Sequence, residues 1–368
     1  MINCIRYTNF NSDSNGNGAE KRTAQIGEIL REANLSYNFL RKTDNSFNLK
    51  IQFKNIFNFI SIYNITEYSS LRRFIHHLLS YLKTIAFLKT PLESATNIFI
   101  WECTRSENYF IPDLVKGYGK KVIAIPHNLE SLVPNQISSI SFKKAPDWYK
   151  EEISYLSKCN FVFCISQEET WLLKLFGINA FYLPYYPTDS TIDLLKEIRN
   201  KRITKQKTGV KRKILMFGSA DNQPTKIGIL DRIKVLQKFA FENIQFIIAG
   251  FNTHLLSTYI EPSDNIILFG TLEKEQLINL LTEVDALLIH QPPTTGALVK
   301  IPEMLFAGIP IIANSNSVRS FFYNGIFLYD DDETFLNILL NQDLTIPPIP
   351  EKPTEQIDLF IRVINSLA

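Results

Sequence analysis

Two doubly wound α/β domains in tandem are what this sequence predicts, on three observations. Short apolar runs, β-branched or aromatic, alternate with helical patterns along all 368 residues. The runs are nearly continuous rather than alternating, which is the pattern of parallel strands covered on both faces. The series is interrupted once by a stretch too basic for a strand: residues 196–213 hold nine Lys or Arg and one Glu.

In the first series, "CIRYTN" (4–9), "NIFIWE" (97–102), "KVIAIP" (121–126) and "FVFCIS" (161–166) read as strands, each closed by a polar or proline signal. "LPYYPTD" (183–189) ends the series with two prolines. The basic run that follows reads as a solvated helix and linker. In the second series, "KILMFG" (213–218), "IQFIIAG" (244–250), "NIILFG" (265–270), "ALLIH" (286–290) and "IPIIAN" (309–314) are strands, with helical patterns at 225–240, 273–283 and 299–307. The expected organisation is an N-terminal domain over 1–187, a basic linker over 188–211, a C-terminal domain over 212–345 and a terminal helix within 346–368.

One segment, about 40 to 90, departs from this rhythm. "SSLRRFIHHLLSYLKTIAFL" (69–88) carries Leu71, Phe74, Ile75, Leu78, Leu79, Leu82 and Ile85 at helical spacing, with Arg72, Arg73, His76, His77 and Lys83 between them. Two readings stand: a sheet-covering helix with a wet outer face, or a basic amphipathic helix lying on a membrane. Adjacent His76 and His77 cannot point at one metal from one helix face.

Composition excludes several classes. Hydrophobic content of 45% supports real cores and excludes global disorder. A net charge of +2 is too small for nucleic acid as the main partner. Four cysteines, at 4, 103, 159 and 164, lack the paired spacing of a zinc site or a disulfide scaffold. "MINCIRYTNFNSD" has no apolar run behind a basic start, so no signal peptide is expected. No uncharged apolar run reaches the roughly 18 residues of a membrane span. A cytoplasmic protein is expected.

Four stretches could carry chemistry. "NSDSNGNGAEKRTAQIGEIL" (11–30) runs from a strand end through Gly16, Asn17 and Gly18 into a helix beginning near Ala19. Such a helix N-terminus suits a diphosphate, or is an ordinary strand-to-helix turn. "IPHNLES" (125–131) puts His127 at a strand's carboxyl end, where it would donate to a substrate hydroxyl or leaving oxygen, or cap a turn. In "TTGALVKIPEMLFAGIPIIAN" (294–314), Gly296 marks a turn, and Lys300 and Glu303 share a helix face. An ion pair would prefer Glu before Lys, whereas a carboxylate for a ribose diol and a cation for phosphate fit the order found. In "YDDDETFLNIL", Asp330, Asp331 and Asp332 precede an apolar helical pattern, so a helix cap is expected rather than a metal site.

Taken together, these stretches resemble the nucleotide-sugar glycosyltransferases of the GT-B fold, of the retaining group-1 (family 4) type. "GNGAEKRT" looks like that family's glycine-rich loop, and "IPHNLES" its histidine-bearing strand end. "CNFVFCISQEETWLLKLFG", "YLPYYPTD" and "KILMFGSADNQPTKIGIL" are similar to the segments before and after its hinge. The most specific part ends in "TTGALVKIPEMLFAGIPIIAN", where Glu303 falls on the ribose-binding glutamate and Lys300 on the basic position three before it.

The resemblance implies a GT-B fold, two Rossmann-like doubly wound domains with a cleft between them, the C-terminal helix returning to the first domain. It implies transfer of a sugar, most simply a hexose, from a nucleotide-sugar donor to a glycan or lipid-linked acceptor. Retention is implied, and no metal or cofactor, the nucleotide sugar being a substrate. Gly16, Asn17, Gly18, Gly218, Lys226, Gly296, Lys300 and Glu303 would bind the nucleotide and diphosphate. His127, Thr295, Gly296 and Ala297 would line the sugar pocket, with His127 and Lys300 the catalytic candidates. Acceptor recognition would fall to residues 35–90, with peripheral contact to an anionic membrane at the inner face of the cell membrane as one reading. There are departures: Thr295 stands where a sugar-reading glutamate is usual, Leu298 where a glycine is, and Ser219 or Ala220 where an arginine is. A nucleotide-binding module with little or no activity, or another GT-B enzyme such as an epimerase, therefore remains an alternative.

Overall fold

The computed structural model describes residues 3–42, 53–102, 104–204, 211–261 and 263–368. The chain divides into two compact units, Met1–Tyr185 with Pro353–Ala368, and Tyr186–Lys352.

The first unit starts with β1 (Asn3–Thr8), α1 (Gly18–Glu32), β2 (Ser36–Arg41), α2 (Phe53–Ile62) and α3 (Leu71–Glu93). It continues with β3 (Ile98–Glu102), α4 (Ile111–Gly117), β4 (Lys121–Ile125) and α5 (Ala145–Leu156). β5 (Phe161–Cys164), α6 (Gln167–Leu175) and β6 (Ala180–Tyr182) complete the sheet, whose strand order is β2-β1-β3-β4-β5-β6. All its pairings are parallel. Neighbouring side chains of a strand point to opposite faces, so β3 splits its residues between two cores. Phe99 and Trp101 enter one with Phe59, Phe74 and Trp148. Ile98 and Ile100 enter the other with Ile26 and Phe163.

The second unit begins with α7 (Asp189–Thr204), β7 (Arg212–Phe217), α8 (Gln223–Leu236), β8 (Ile244–Ala249) and β9 (Ile266–Gly270). α9 (Lys274–Glu283), β10 (Ala286–Ile289), α10 (Lys300–Phe306), β11 (Ile311–Asn314), β12 (Ile326–Tyr329) and α11 (Asp332–Asn341) follow. Its sheet is also fully parallel, in the order β12-β11-β10-β7-β8-β9. The last helix, α12 (Thr354–Leu367), belongs to the first unit, where Phe360 meets Phe163 edge-on at 4.8 Å.

Two expectations are corrected. The run 196–213 reads as a solvated helix and linker, with the linker placed over 188–211; a helix is there, α7, but it is packed into the second unit. α7 buries Ile192, Leu195 and Ile198, and its cations satisfy backbone carbonyls: Arg199 reaches Leu305 and Arg202 reaches Leu281, Val284 and Gly308. The rest of the basic run, 205–210, lies outside the described residues. In α3, the inward face is Phe74, His77, Tyr81, Leu82 and Leu88, so His77 is not an outward cation. Its Nδ1 lies 2.7 Å from the Tyr68 hydroxyl, and burial pushes its pKa down to about 4.

A buried ion pair stands near the centre of the first sheet. Arg6 on β1 and Glu102 on β3 are both fully buried and joined by two hydrogen bonds, one from Nε and one from Nη2 at 3.1 Å. Arg6 also donates to the Thr23 carbonyl of α1, and its guanidinium lies over Tyr37 and Phe39 at 5.3 and 5.1 Å. Removing one member leaves an uncompensated charge in the core, so Glu102→Ala should destabilise this unit by about 3–5 kcal/mol. All three tryptophans, at 101, 148 and 171, lie in this unit, so fluorescence-detected urea unfolding reports on it alone. A loss under about 1 kcal/mol would show that the pair is not needed.

Candidate functional sites in the two units

In a parallel sheet all carboxyl ends face one edge, and the place where the strand order reverses opens a crevice there. The first sheet reverses between β1 and β3, the second between β7 and β10. Each unit is described by itself.

In the first unit, the loops after β1, β3 and β4 bring Phe10, Arg105 and His127 into a stack. The Phe10 and His127 rings lie 5.4 Å apart and nearly parallel, and the Arg105 guanidinium lies 5.4 Å from the Phe10 centroid. Neither ring nitrogen of His127 has a hydrogen-bond partner among the described residues, and both are sealed from solvent. Burial, then the charges of Arg22, Arg105 and Arg6, push its pKa down to about 3. At neutral pH the imidazole is therefore uncharged, offering one N–H and one lone pair rather than an ionisable proton.

The segment that carries His127 is held from below by carboxylates. The Leu129 amide donates to Glu169 at 2.8 Å, and the Glu130 and Ser131 amides donate to Glu152 at 3.1 and 3.2 Å. Glu152 is fully buried, and burial raises its pKa to about 8. Arg22 of α1, also buried, donates to the Leu183 and Pro184 carbonyls at 2.6 and 3.0 Å. Burial lowers its pKa only to about 10, so it stays charged.

The Gly16–Asn17–Gly18 turn opens α1 as the sequence suggests, but the Asn17, Ala19 and Glu20 amides are already engaged. The Asn17 side chain accepts from Ala19 and Glu20, and Glu20 accepts from the Asn17 amide at 3.0 Å. This reciprocal cap fills the helix end with the protein's own carboxylate. An incoming diphosphate would have to displace Glu20.

In the second unit, Lys300 is drawn to the switch point. Its Nζ donates to the Phe217 carbonyl, the last of β7, at 2.5 Å. Gly218 follows, and a Cβ there would lie 3.0 Å from that Nζ and 2.8 Å from a Thr225 methyl, so only glycine leaves room. Glu303, one turn along α10, is buried. Lys226, in contrast, turns to the Tyr259 ring, 4.9 Å from its centroid. The turn of Thr295, Gly296 and Ala297 leads into α10, with Gly296 at φ 78°, a left-handed conformation natural to glycine.

Arg319, which the sequence reading missed, fixes that turn. Its Nε and Nη2 donate to the carbonyls of Gly296 and Thr295, both at 2.9 Å. The signal was available: Arg319 is the only Lys or Arg between Lys300 and Lys352. Across the switch point, His290 at the end of β10 is engaged structurally, by Tyr329 at 2.9 Å and Asp231 at 3.2 Å. The acidic run behaves as a cap: Asp331 accepts from the Thr334 amide, Asp330 binds Ser315, and Asp332 pairs with Arg232.

Together these features define the class of architecture: a GT-B fold of two Rossmann-like units, each with its own switch-point edge. The comparisons with solved structures agree with it. Sucrose-phosphate synthase from Thermosynechococcus elongatus matches with a TM-score of 0.64 and 13% identity, over 99% of this chain and 96% of that one. An α,α-trehalose-phosphate synthase (UDP-forming) from Burkholderia xenovorans, in complex with glucose-6-phosphate, matches with a TM-score of 0.58 and 11% identity, over 100% and 96%. Anabaena HepE in complex with UDP and glucose matches at 0.56 and 12%, over 100% and 97%. At such identities the likeness is one of fold. No protein-family model matches the chain, and no curated protein sequence does.

The neutral His127 has a consequence for stability. A histidine whose folded pKa is depressed takes up protons in the unfolded chain first, so stability is lost as pH falls. The stability difference between wild type and His127→Gln should therefore be constant above about pH 6.5 and should move steadily in favour of the variant as pH falls towards about pH 3. His77 and the oppositely signed Glu152 are common to both proteins and cancel. Tryptophan-detected unfolding across this range checks it, and a difference independent of pH would contradict a sealed, neutral imidazole.

Proposed function

We propose that this protein transfers a sugar, most simply a hexose, from a nucleotide-sugar donor to a glycan or lipid-linked acceptor. The observation that carries the proposal is the placement of Lys300 against the end of β7 beside Gly218, with the buried Glu303 one helical turn away. A cation at a strand's carboxyl end and a carboxylate beside it suit a diphosphate and a ribose diol. The fold likeness to a UDP-forming synthase and to a protein solved with UDP makes UDP-sugars the first donors to test.

In the reaction, the bond between the anomeric carbon and the diphosphate breaks, a bond to an acceptor hydroxyl oxygen forms, and the hydroxyl proton is released. The reading assigns retention of configuration and neither metal nor cofactor. Lys300, with the amides near Gly218 and Gly296, would stabilise the charge that develops on the diphosphate. Preorganised donors of this kind contribute about 3 kcal/mol each to lowering a barrier. Glu303 would hold the ribose. His127, uncharged, would exchange a hydrogen bond with a sugar hydroxyl, and Thr295 and Ala297 would line the sugar side. Lys226 would leave the Tyr259 ring to meet phosphate. Gly16, Asn17 and Gly18 would take part only where Glu20 gives way. A cytoplasmic location fits the three described cysteines, which are all free and buried.

A second reading, nucleotide binding without transfer, is favoured by Thr295, a hydroxyl where a carboxylate would read sugar hydroxyls. Release of free nucleotide from a donor in the presence of acceptor separates the two readings.

Glu303→Ala should weaken nucleotide affinity by about 1–3 kcal/mol through loss of a charged hydrogen bond. Unchanged affinity by calorimetry in the folded variant would remove Glu303 from the site. His127→Ala should depress turnover while leaving nucleotide affinity within a factor of about two. A variant with full turnover would remove the imidazole from the reaction.

A further inference from the structure

We propose that the outer face of the α2–α3 pair seats the first unit on an anionic lipid surface. α3 packs inward through Phe74, His77, Tyr81 and Leu88, and α2 meets it through Phe59, whose ring lies 5.3 Å from Phe74 and 5.2 Å from Tyr81. That packing does not use a second apolar stripe on α3. Leu71, Ile75 and Leu79, four residues apart and so aligned on one face, are 61%, 45% and 40% exposed. On α2, Phe57 and Ile60 are also exposed, at 71% and 54%. Large apolar side chains this exposed cost solubility, and a row of them marks a surface that is covered by something.

The charges around the stripe say what covers it. Arg72, His76 and Lys83 follow the stripe along one side of α3, and Arg73 and Lys54 are exposed nearby. From residue 53 to 88 there are four Lys or Arg and a single acid, Glu67. That acid is already paired, with Lys143 at 2.8 Å. A second copy of the chain would set these unneutralised cations against their own kind, whereas an anionic bilayer neutralises them and accepts the apolar side chains between its headgroups. Among the described residues no helix is long and apolar enough to cross a membrane, so the contact lies in the interface plane. The inference does not depend on the transfer reading.

The test is sedimentation of the full chain with phosphatidylcholine vesicles, with and without phosphatidylglycerol. The wild type should sediment only with the anionic vesicles and be released by salt, as screening weakens exposed charges. R72Q/R73Q should weaken vesicle affinity about 30-fold, the equivalent of about 2 kcal/mol at about 1 kcal/mol per cation. L71S/I75S/L79S should abolish sedimentation. These positions are exposed, and tryptophan-detected unfolding checks that each variant folds. No sedimentation of the wild type, equal binding to neutral vesicles, or variants that sediment like the wild type would each overturn the proposal. Concentration-dependent self-association, lost in the serine variant and unaccompanied by vesicle binding, would assign the face to a second copy.

Discussion

Every strand pair among the described residues is parallel, and that constraint governs the rest. A parallel sheet gathers all its carboxyl ends on one edge and must be covered on both faces, so helices cannot also cover that edge. In the first unit the two strands flanking the reversal are joined by the Arg6–Glu102 pair, in the most buried part of the sheet. A pair in that position is costly to desolvate, and an apolar pair of the same volume could be equally stable. What it supplies is registry: the guanidinium is bonded at once to β1's neighbour and to the α1 backbone, which fixes the helix against the sheet edge where Phe10, Arg105 and His127 meet.

The loops on those edges are ordered by side chains that point into the protein rather than by loop composition. Glu152 and Glu169 take the amides after His127, Arg22 takes the carbonyls after β6, and Arg319 takes the carbonyls of Thr295 and Gly296. Arg22 and Arg319 are charged groups meeting backbone dipoles, and Glu152 and Glu169 are carboxyl groups accepting from backbone amides, an arrangement that makes a loop rigid without filling its concave side. His127 differs in that neither of its ring nitrogens has a hydrogen-bond partner among the described residues. A buried polar atom without a partner costs about 1–3 kcal/mol.

The interior strands of the fold were all legible in the sequence, and of the four edge strands only β9 was. All nine strands read from apolar runs are present. The three that escaped, β2, β6 and β12, are edge strands of their sheets. "SYNFLR" alternates with polar residues, "AFY" is three residues long, and "IFLY" is half exposed, so none carries the continuous apolar signal of a central strand. Buried charge was misread for a related reason. Composition registers Arg199 and Arg202 as solvated cations, because nothing local says that carbonyl ends of other elements await them. The same applies to Glu152 and Arg319, whose partners lie 21 to 24 residues away. Gly218 and Lys300, 82 positions apart, were each legible alone, but their meeting belongs to the strand order.

The two glycine-bearing turns that looked alike in sequence differ physically, and the difference moves the electrostatic weight of the molecule. A helix N-terminus attracts an anion because its first amides are unpaired. At α1, Asn17 and Glu20 take the Asn17, Ala19 and Glu20 amides and place a carboxylate on the spot. At the second switch point the order is reversed: a lysine, not a carboxylate, is held against the strand end, and the carboxylate Glu303 is set back by one helical turn within the core.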